Sequence, residues 1–261
     1  MKKYLVIGNP IEHSLSPKLH NHWIQENNID AVYDKKQSNE TDIQGIISEV
    51  KDGKIDGINI TVPFKKSVIP FLDQLTTLAK EAQSVNTIFK KDNKVIGDNT
   101  DVGGFEQGLK HINYNVQDKK VFILGAGGVV PSIIVALKKL GSGKIILSNR
   151  TKKKAENLKK IYPDIEIIDW GKIPNFHMII NATSLGLETT DQIKLNYADN
   201  SPNKLFYDVI YNPKKTNFLI KAKQFGNQTE NGKMMFIYQA QLSFKIWHNI
   251  LPKVHDKLLE K

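Results

Sequence analysis

The chain has 261 residues, of which 40% are hydrophobic and 25% are charged, and this length accommodates one large or two modest globular domains. The sequence contains no cysteine, which excludes disulfides, thiolate nucleophiles and cysteine-held metal clusters, and we expect a cytoplasmic protein. No apolar run approaches 18 residues, so no transmembrane helix is predicted. The formal net charge is +10, yet Arg150 is the only arginine. Nucleic-acid contacts are usually made by the guanidinium group of arginine. We therefore interpret the excess of positive charge as a result of the lysine-rich composition and expect no nucleic-acid partner.

The first third alternates short apolar runs with helical patterns. Its first strand carries too short an apolar run for a signal peptide, and Ser16-Pro17 is typical of a helix start. The first strand is predicted at Tyr4–Ile7. It is followed by a buried strand at Ile55–Val62, a short helix or turn at Lys80–Val85, and two paired strands at Thr87–Lys90 and Lys94–Gly97.

The rest of the chain alternates strands and helices. This pattern predicts an α/β fold with parallel sheets and helices on both faces. The predicted helices are Gly103–Ile112, Val129–Leu140, Lys153–Ile161, Asn217–Phe225 and Met234–Ile250. The predicted strands are Lys120–Leu124, Lys144–Ser148, Ile165–Ile168, Met178–Asn181 and Leu205–Val209.

A glycine loop lies between a predicted strand and a predicted helix. It consists of Gly125, Ala126, Gly127 and Gly128, with Val130 at the position where the dinucleotide fingerprint has its third glycine. Such a loop points backbone N–H groups at a pyrophosphate. The alternative is a glycine-rich turn that holds no dinucleotide.

The lone arginine follows the next predicted strand, in Asn149-Arg150-Thr151. An NAD site normally has a carboxylate there for the ribose 2′-OH, whereas a guanidinium binds a 2′-phosphate. The position therefore predicts NADP, with Thr151 and Lys154 as further contacts. The alternative is a surface arginine beside solvated lysines.

Polar residues cluster at the strand ends of the first third. Each alone has an ordinary role as a cap, turn former or surface charge, but together they predict a pocket for a hydroxylated ligand: Ser14, Ser16, Asn59, Thr61, Lys65, Asn86 and Asp101. His20 and His22 point to different faces of a helix, so we predict no metal site.

The sequence resembles the shikimate dehydrogenase family over essentially its whole length. The motifs that carry the resemblance are S-x-S-P, N-x-T-x-P-x-K, N-T, N-T-D, G-A-G-G, N-R-T, N-A-T-S, D-x-x-Y-N-P and a late Q-A, and they occur here in family order. The later ones include Thr183 and Ser184, Tyr211, and Gln239.

The resemblance implies an open α/β substrate domain and a Rossmann domain with the site in the cleft between them. It places the shikimate-binding domain at residues 1–101, with the helix 234–261 packing back onto it, and the NADP-binding domain at 102–233. It implies that Lys65 and Asp101 are the catalytic pair, and that Ser14, Ser16 and Tyr211 hold the substrate carboxylate. The remaining implied substrate contacts are Asn59, Thr61, Asn86 and Gln239. The implied cofactor contacts are Gly125, Ala126, Gly127, Gly128, Asn149, Arg150, Thr151, Lys154, Thr183, Ser184, Gly232 and Met235.

The family activity implied is the reversible, NADPH-dependent reduction of 3-dehydroshikimate to shikimate, by a monomer or homodimer. Lys65 is the expected proton carrier; the alternative is that it only positions a hydroxyl. Three other functions remain open: a quinate/shikimate dehydrogenase with relaxed substrate or NAD use, a non-catalytic NADP-binding protein, and a nucleic-acid-binding protein. The stretch Gly232-Lys233-Met234-Met235 departs from the family pattern, because it has a lysine where a leucine is common.

Overall fold

A computed structural model describes residues 1–188, 190–194, 202–255 and 258–259. The chain forms two compact units. Unit 1 comprises Met1–Gly104 and Ile237–Lys261, and unit 2 comprises Phe105–Phe236. No helix in the described ranges is long and apolar enough to cross a membrane.

The described residues form twelve strands and eight α-helices. The strands are β1 Lys2–Gly8, β2 Ala31–Gln37, β3 Gly57–Ile60, β4 Gln74–Leu75, β5 Thr87–Lys91, β6 Lys94–Asp98, β7 Lys120–Leu124, β8 Lys144–Ser148, β9 Glu166–Ile167, β10 Met178–Asn181, β11 Leu205–Asp208 and β12 Gln228–Glu230. The α-helices are α1 Ser16–Glu26, α2 Ile43–Lys51, α3 Thr77–Ala82, α4 Thr100–His111, α5 Val130–Lys139, α6 Lys152–Ile161, α7 Asn217–Gln224 and α8 Lys233–His248.

The sheet of unit 1 is mixed, in the order β2-β1-β3-β5-β6-β4. Strands β2, β1 and β3 are parallel, whereas β5 pairs antiparallel with both β3 and β6. All four residues of β3 are buried, because it lies in the interior of the sheet. The polar residues that follow its carboxyl end, Thr61 and Lys65, therefore start from a rigidly held backbone position.

The sheet of unit 2 is parallel throughout, in the order β12-β11-β10-β7-β8-β9. Strands β7 and β10 start the two halves of a doubly wound Rossmann sheet, and the strand order reverses between them. Ligands of such sheets bind beside the carboxyl ends of the strands at this reversal. The α/β class and the Rossmann sheet predicted from the sequence are confirmed.

The structure corrects several predicted boundaries. The strand predicted at Ile55–Val62 spans only Gly57–Ile60, because the N–H groups of Ile55 and Asp56 bond to the carbonyl oxygens of Glu49 and Lys3 outside the ladder. The short helix predicted at Lys80–Val85 begins earlier, at Thr77, where the Thr76 hydroxyl accepts from the Ala79 N–H.

Four elements were not predicted, and the helix ends also differ slightly. The unpredicted elements are β2, α2, β4 and β12. Five predicted helices are present with shifted ends. The helix predicted at Gly103–Ile112 spans Thr100–His111, the one at Val129–Leu140 spans Val130–Lys139, and the one at Lys153–Ile161 spans Lys152–Ile161. The helix predicted at Asn217–Phe225 spans Asn217–Gln224, and the one at Met234–Ile250 spans Lys233–His248. The strands predicted at Ile165–Ile168 and Leu205–Val209 end at Ile167 and Asp208.

Candidate functional site

A buried ion pair forms the centre of the candidate site in unit 1. The Lys65 Nζ donates to Asp101 Oδ2 at 2.5 Å, and the two residues are only 9% and 6% exposed. Lys65 lies in the turn after β3, and Asp101 lies in the first turn of α4, where the helix dipole favours a carboxylate. Each buried charge needs the other, since an unpaired charge in this setting is costly.

Asn86 fixes the second oxygen of that carboxylate. Its Nδ2 donates to Asp101 Oδ1 at 3.0 Å and to Thr100 Oγ1 at 2.9 Å, and it also reaches Gln239 Oε1 at 3.3 Å. Its Oδ1 accepts from the backbone N–H of Thr100 at 2.7 Å. Asn86 therefore ties the residue before β5 to the start of α4 and to α8.

Asn59 occupies the centre of a second layer of hydrogen bonds, next to this pair. Its Nδ2 lies 3.0 Å from the Asn86 carbonyl oxygen, 3.1 Å from Thr87 Oγ1 and 3.0 Å from Ser243 Oγ. Its Oδ1 accepts from the hydroxyl of Tyr33 at 2.7 Å. The side chain of Asn59 thus joins Tyr33 of β2, the start of β5 and Ser243 of α8 through hydrogen bonds.

The remaining polar residues predicted in unit 1 lie at strand and helix ends. Ser16 begins α1 and is 6% exposed, and its N–H donates to Ser14 Oγ at 3.3 Å. Thr61 follows β3 and is half-buried, and its N–H donates to the carbonyl of Ile7. Gln239 lies on the α8 segment of unit 1. The structure thus brings Asn59, Lys65, Asn86, Asp101 and Gln239 into one connected network.

Three residues of this network were missed by sequence reasoning: Tyr33, Thr87 and Ser243. Tyr33 is 2% exposed and the other two are fully buried. Ser243 lies 2.9 Å from Thr87 Oγ1 and 3.2 Å from Thr100 Oγ1, oxygen to oxygen. Their partners are up to 184 residues away in sequence, so no local spacing could have indicated them.

The two histidines of the H-x-H motif have opposite environments. His20 is 1% exposed and His22 is exposed. The ring of His20 stacks on Tyr33 at 4.2 Å between centroids, and neither of its nitrogens has a hydrogen-bond partner among the described residues. Burial, and to a smaller extent the charge of His248, lowers the pKa of His20 to about 3.

In unit 2, the glycine loop follows β7 at the point where the strand order reverses. Gly125 has φ +110°, and a Cβ there would lie 2.6 Å from the carbonyl oxygen of Ala182. Only glycine fits this close approach of two backbones. Gly127 is exposed, and a Cβ on it would meet the Ala182 oxygen only at 3.8 Å. The loop leads into α5, and this arrangement provides the cradle that a dinucleotide pyrophosphate requires.

The loop after β8 presents the lone arginine to solvent. Arg150 is exposed and forms no ion pair with any described residue. Asn149 Nδ2 donates to the carbonyl oxygen of Thr151 at 2.8 Å, and this bond shapes the turn before α6. Lys154 is exposed, whereas the neighbouring Lys152 pairs with Asp169 at 3.0 Å.

The N-A-T-S segment follows β10 and is held by the adjacent strand. Asn181 Oδ1 accepts from the Thr183 N–H at 3.1 Å and from its hydroxyl at 2.7 Å. Asn181 Nδ2 donates to Asp208 Oδ1 at 3.0 Å. Ser184 follows Thr183 in the same turn. Burial raises the pKa of the Asp208 carboxyl, and three hydrogen-bond donors oppose that rise.

The other predicted residues of unit 2 are largely buried. Tyr211 is half-buried and stacks on Phe236 at 4.6 Å, and burial raises its pKa to about 12. Gly232 is required by packing, since a Cβ there would lie 2.0 Å from the Val209 oxygen. Met235 is 6% exposed.

Family models match most of the chain. Residues 6–88 match the shikimate dehydrogenase substrate binding domain, and residues 107–215 match shikimate / quinate 5-dehydrogenase.

Individual relatives match over nearly their whole length. A shikimate dehydrogenase (NADP(+)) of Pelagibacter ubique is 58% identical over 99% of this chain and 97% of its own. The crystal structure of shikimate dehydrogenase from Aquifex aeolicus is 37% identical, with TM-score 0.91 over 99% of this chain and 96% of its own. A shikimate 5-dehydrogenase from Thermus thermophilus, solved with NADP(H) and shikimate, is 28% identical, with TM-score 0.89 over 97% and 95%. The chain belongs to the shikimate dehydrogenase family.

Proposed function

We propose that this protein is an NADP-dependent shikimate dehydrogenase, an oxidoreductase that reversibly reduces 3-dehydroshikimate to shikimate in aromatic amino acid biosynthesis. The observation that carries the proposal is the buried Lys65–Asp101 pair, whose carboxylate is oriented by Asn86. Apolar residues in place of a buried ion pair are often at least as stable, so stability alone does not account for the pair and it points to a function. The names and full-length similarity of the relatives support the same activity.

The cofactor is NADP, and the residues of unit 2 fit it. The glycine loop faces the pyrophosphate through Gly125, Ala126, Gly127 and Gly128, and Gly125 cannot be any larger residue. Arg150 holds the 2′-phosphate with help from Asn149, Thr151 and Lys154, since its guanidinium has no described acidic partner. Thr183, Ser184, Gly232 and Met235 lie toward the nicotinamide. NADPH supplies the hydride for the carbonyl carbon when bound.

The chain's own residues handle the proton and the orientation of the substrate. In the reducing direction the Lys65 ammonium donates a proton to the substrate oxygen as the carbonyl becomes an alcohol. Asp101 compensates the charge of Lys65 and contacts the neighbouring hydroxyl. Asn59, Thr61, Asn86 and Gln239 contact the ring hydroxyls, while Ser14, Ser16 and Tyr211 hold the carboxylate.

The same proposal assigns roles to the parts of the chain. Residues 1–101 and 234–261 form the shikimate-binding domain, and residues 102–233 form the NADP-binding domain. The partners are these two small molecules rather than a nucleic acid or a membrane. The protein acts in the cytoplasm as a monomer or homodimer.

The direct test is an assay with four combinations, shikimate or quinate with NADP or NAD. We expect the highest kcat/KM for shikimate with NADP. A higher value with NAD or with quinate would favour the alternative, a quinate/shikimate dehydrogenase of relaxed specificity. Absence of any NADPH formation would favour a non-catalytic binding protein.

The role of Lys65 is tested by Lys65→Ala with Lys66→Ala as the matched control, because Lys66 is exposed and adjacent. A proton donor acts in the transition state, so we expect kcat to fall at least about a hundredfold with little change in KM. A change in the KM for shikimate alone would instead assign Lys65 to positioning a hydroxyl.

A further inference from the structure

We infer that Asp208 is a positioning residue for cofactor use, which acts through Asn181 to orient Thr183 and its loop. The inference rests on the proposed function, because it is NADP whose nicotinamide end Thr183 faces there. Asp208 itself is 0% exposed, and its role is to fix the direction of a hydrogen-bond chain.

The carboxylate of Asp208 is surrounded by donors. Oδ1 accepts from Asn181 Nδ2 at 3.0 Å and from the Ile210 N–H at 3.1 Å, and Oδ2 accepts from Thr216 Oγ1 at 2.6 Å. Three bonds from three separate segments hold both oxygens. A buried carboxylate with this many donors is locked in one rotamer.

The register of the sheet places Asp208 beside Asn181. Strands β10 and β11 are parallel neighbours, and Asn181 is aligned with Asp208 at their carboxyl ends. The Val209 N–H also donates to the Asn181 carbonyl at 3.0 Å. The contact therefore follows from strand pairing and does not depend on a loop.

The ionised carboxylate decides which way the Asn181 amide faces. A carboxylate only accepts hydrogen bonds, so the NH2 group of Asn181 must point at Asp208 and its oxygen must point away. That oxygen meets the Thr183 N–H and hydroxyl, at 3.1 and 2.7 Å. A reversed amide would place NH2 against two donors, which leaves both without an acceptor.

The chain of hydrogen bonds continues with the same donor-to-acceptor direction to Leu185, at the end of the loop after β10. With its proton committed to Asn181, Thr183 Oγ1 accepts from the Leu185 N–H at 3.1 Å, and Asn181 Nδ2 also donates to the Leu185 carbonyl at 3.0 Å. Asp208 thus sets the donor and acceptor pattern from residue 181 to residue 185 without lying in that segment.

The test is Asp208→Asn, which keeps the shape of the side chain and removes the obligate acceptor. The measurement compares the Kd of NADP with that of 2′-phospho-ADP-ribose, which retains every part of NADP except the nicotinamide base. We expect NADP to bind about tenfold more weakly and 2′-phospho-ADP-ribose to change less than about twofold, the size expected for one misoriented polar contact. Asp164→Asn, an exposed change in the same unit, is the control and should alter neither.

A double-mutant cycle tests the route through Thr183. If Asp208 acts through Thr183, then Asp208→Asn combined with Thr183→Ala weakens NADP no more than Thr183→Ala alone. Equal weakening of both ligands by Asp208→Asn, or additive losses in the cycle, would overturn the inference in favour of a purely structural role. If Asp208→Asn does not fold, Thr216→Val removes one of the three bonds and should move the NADP value in the same direction. A wild-type protein that binds neither ligand would refute the proposed function instead.

Discussion

The buried imidazole of His20 makes the stability of unit 1 depend on pH in a predictable way. Burial and the nearby His248 lower its pKa to about 3 in the folded protein, against about 6.5 in an unfolded chain. As pH falls below 6.5 the unfolded state binds a proton that the folded state does not, so the free energy of unfolding decreases until the pH reaches the folded value.

The size of the effect follows from the two pKa values. Between pH 7 and pH 5 the contribution of His20 is a loss of about 2 kcal/mol, since one unit of pKa difference corresponds to 1.36 kcal/mol. The group is 1% exposed and its ring is enclosed by Tyr33, Trp23, Phe244 and Trp247. Solvent screening therefore does not reduce this contribution of His20 to the free energy of unfolding.

The assay compares urea unfolding of the wild type and His20→Phe at pH 7 and pH 5. Trp170→Phe is introduced into the reference protein and into the His20→Phe variant, because Trp170 lies in unit 2. The remaining tryptophans, Trp23 and Trp247, then report on unit 1 by fluorescence. The wild type should lose about 2 kcal/mol more than His20→Phe over this range. His22→Gln, an exposed change on the same helix, should behave as the wild type.

Equal pH dependence of the wild type and His20→Phe would refute the reasoning. It would mean that the folded protein accepts a proton on His20 as readily as the unfolded chain does. His248 also contributes, because burial and the charge of Lys2 lower its pKa to about 4 against an opposing influence of Asp56. It is present in both proteins, so the pH dependence that burial and Lys2 give to His248 contributes to both unfolding curves.

Three further changes have expected outcomes that simple measurements check. Gly125→Ala places a Cβ 2.6 Å from the Ala182 oxygen at φ +110°, so NADP binding by calorimetry should fall at least about tenfold through displaced backbone; unchanged affinity would contradict the close approach. Tyr33→Phe removes a buried 2.7 Å bond to Asn59 and should lower the free energy of unfolding by about 1–3 kcal/mol, whereas no change in urea titration would show that Asn59 finds another donor. Thr76→Ala removes the side-chain cap of α3 together with the hydrogen bond from the Thr76 hydroxyl to Asp98 Oδ1. It should lower the free energy of unfolding by at least about 1 kcal/mol, and a loss below a few tenths of a kcal/mol would contradict a stabilising role of this hydroxyl.

The sequence predicted the unit 2 sheet more accurately than that of unit 1, for a physical reason. Strands β7, β8 and β10 match the prediction residue for residue, because a parallel strand covered on both faces is a short apolar run with sharp ends. Strand β2 is an edge strand whose last four residues are exposed, so its sequence shows no such run. Helix α2 did carry a helical signal, with Ile43, Ile46, Ile47 and Val50 buried on one face.

The candidate site divides in the same way. Residues of short motifs beside the ends of strands, such as Lys65, Asn86 and Asp101, were identified from the sequence, and the structure connects them by hydrogen bonds. Tyr33 and Ser243 could not be identified, because each is one polar residue in an otherwise ordinary strand or helix. Their importance arises only from contacts with Asn59 that the tertiary fold creates.

The distribution of charge gives the most direct link between composition and chemistry. The chain carries 37 basic residues, but among the described residues Lys65 is the one lysine that is buried. A lysine loses its hydration on burial and must be compensated by a partner, and the structure provides Asp101 at 2.5 Å. The arginine shows the opposite arrangement, since Arg150 is exposed and has no described ionic partner. Lys65 is held in the interior by a fixed carboxylate, whereas Arg150 is available to bind an anion. The net charge of +10 therefore says little about function. The placement of Lys65 and Arg150 indicates the substrate chemistry and the choice of cofactor.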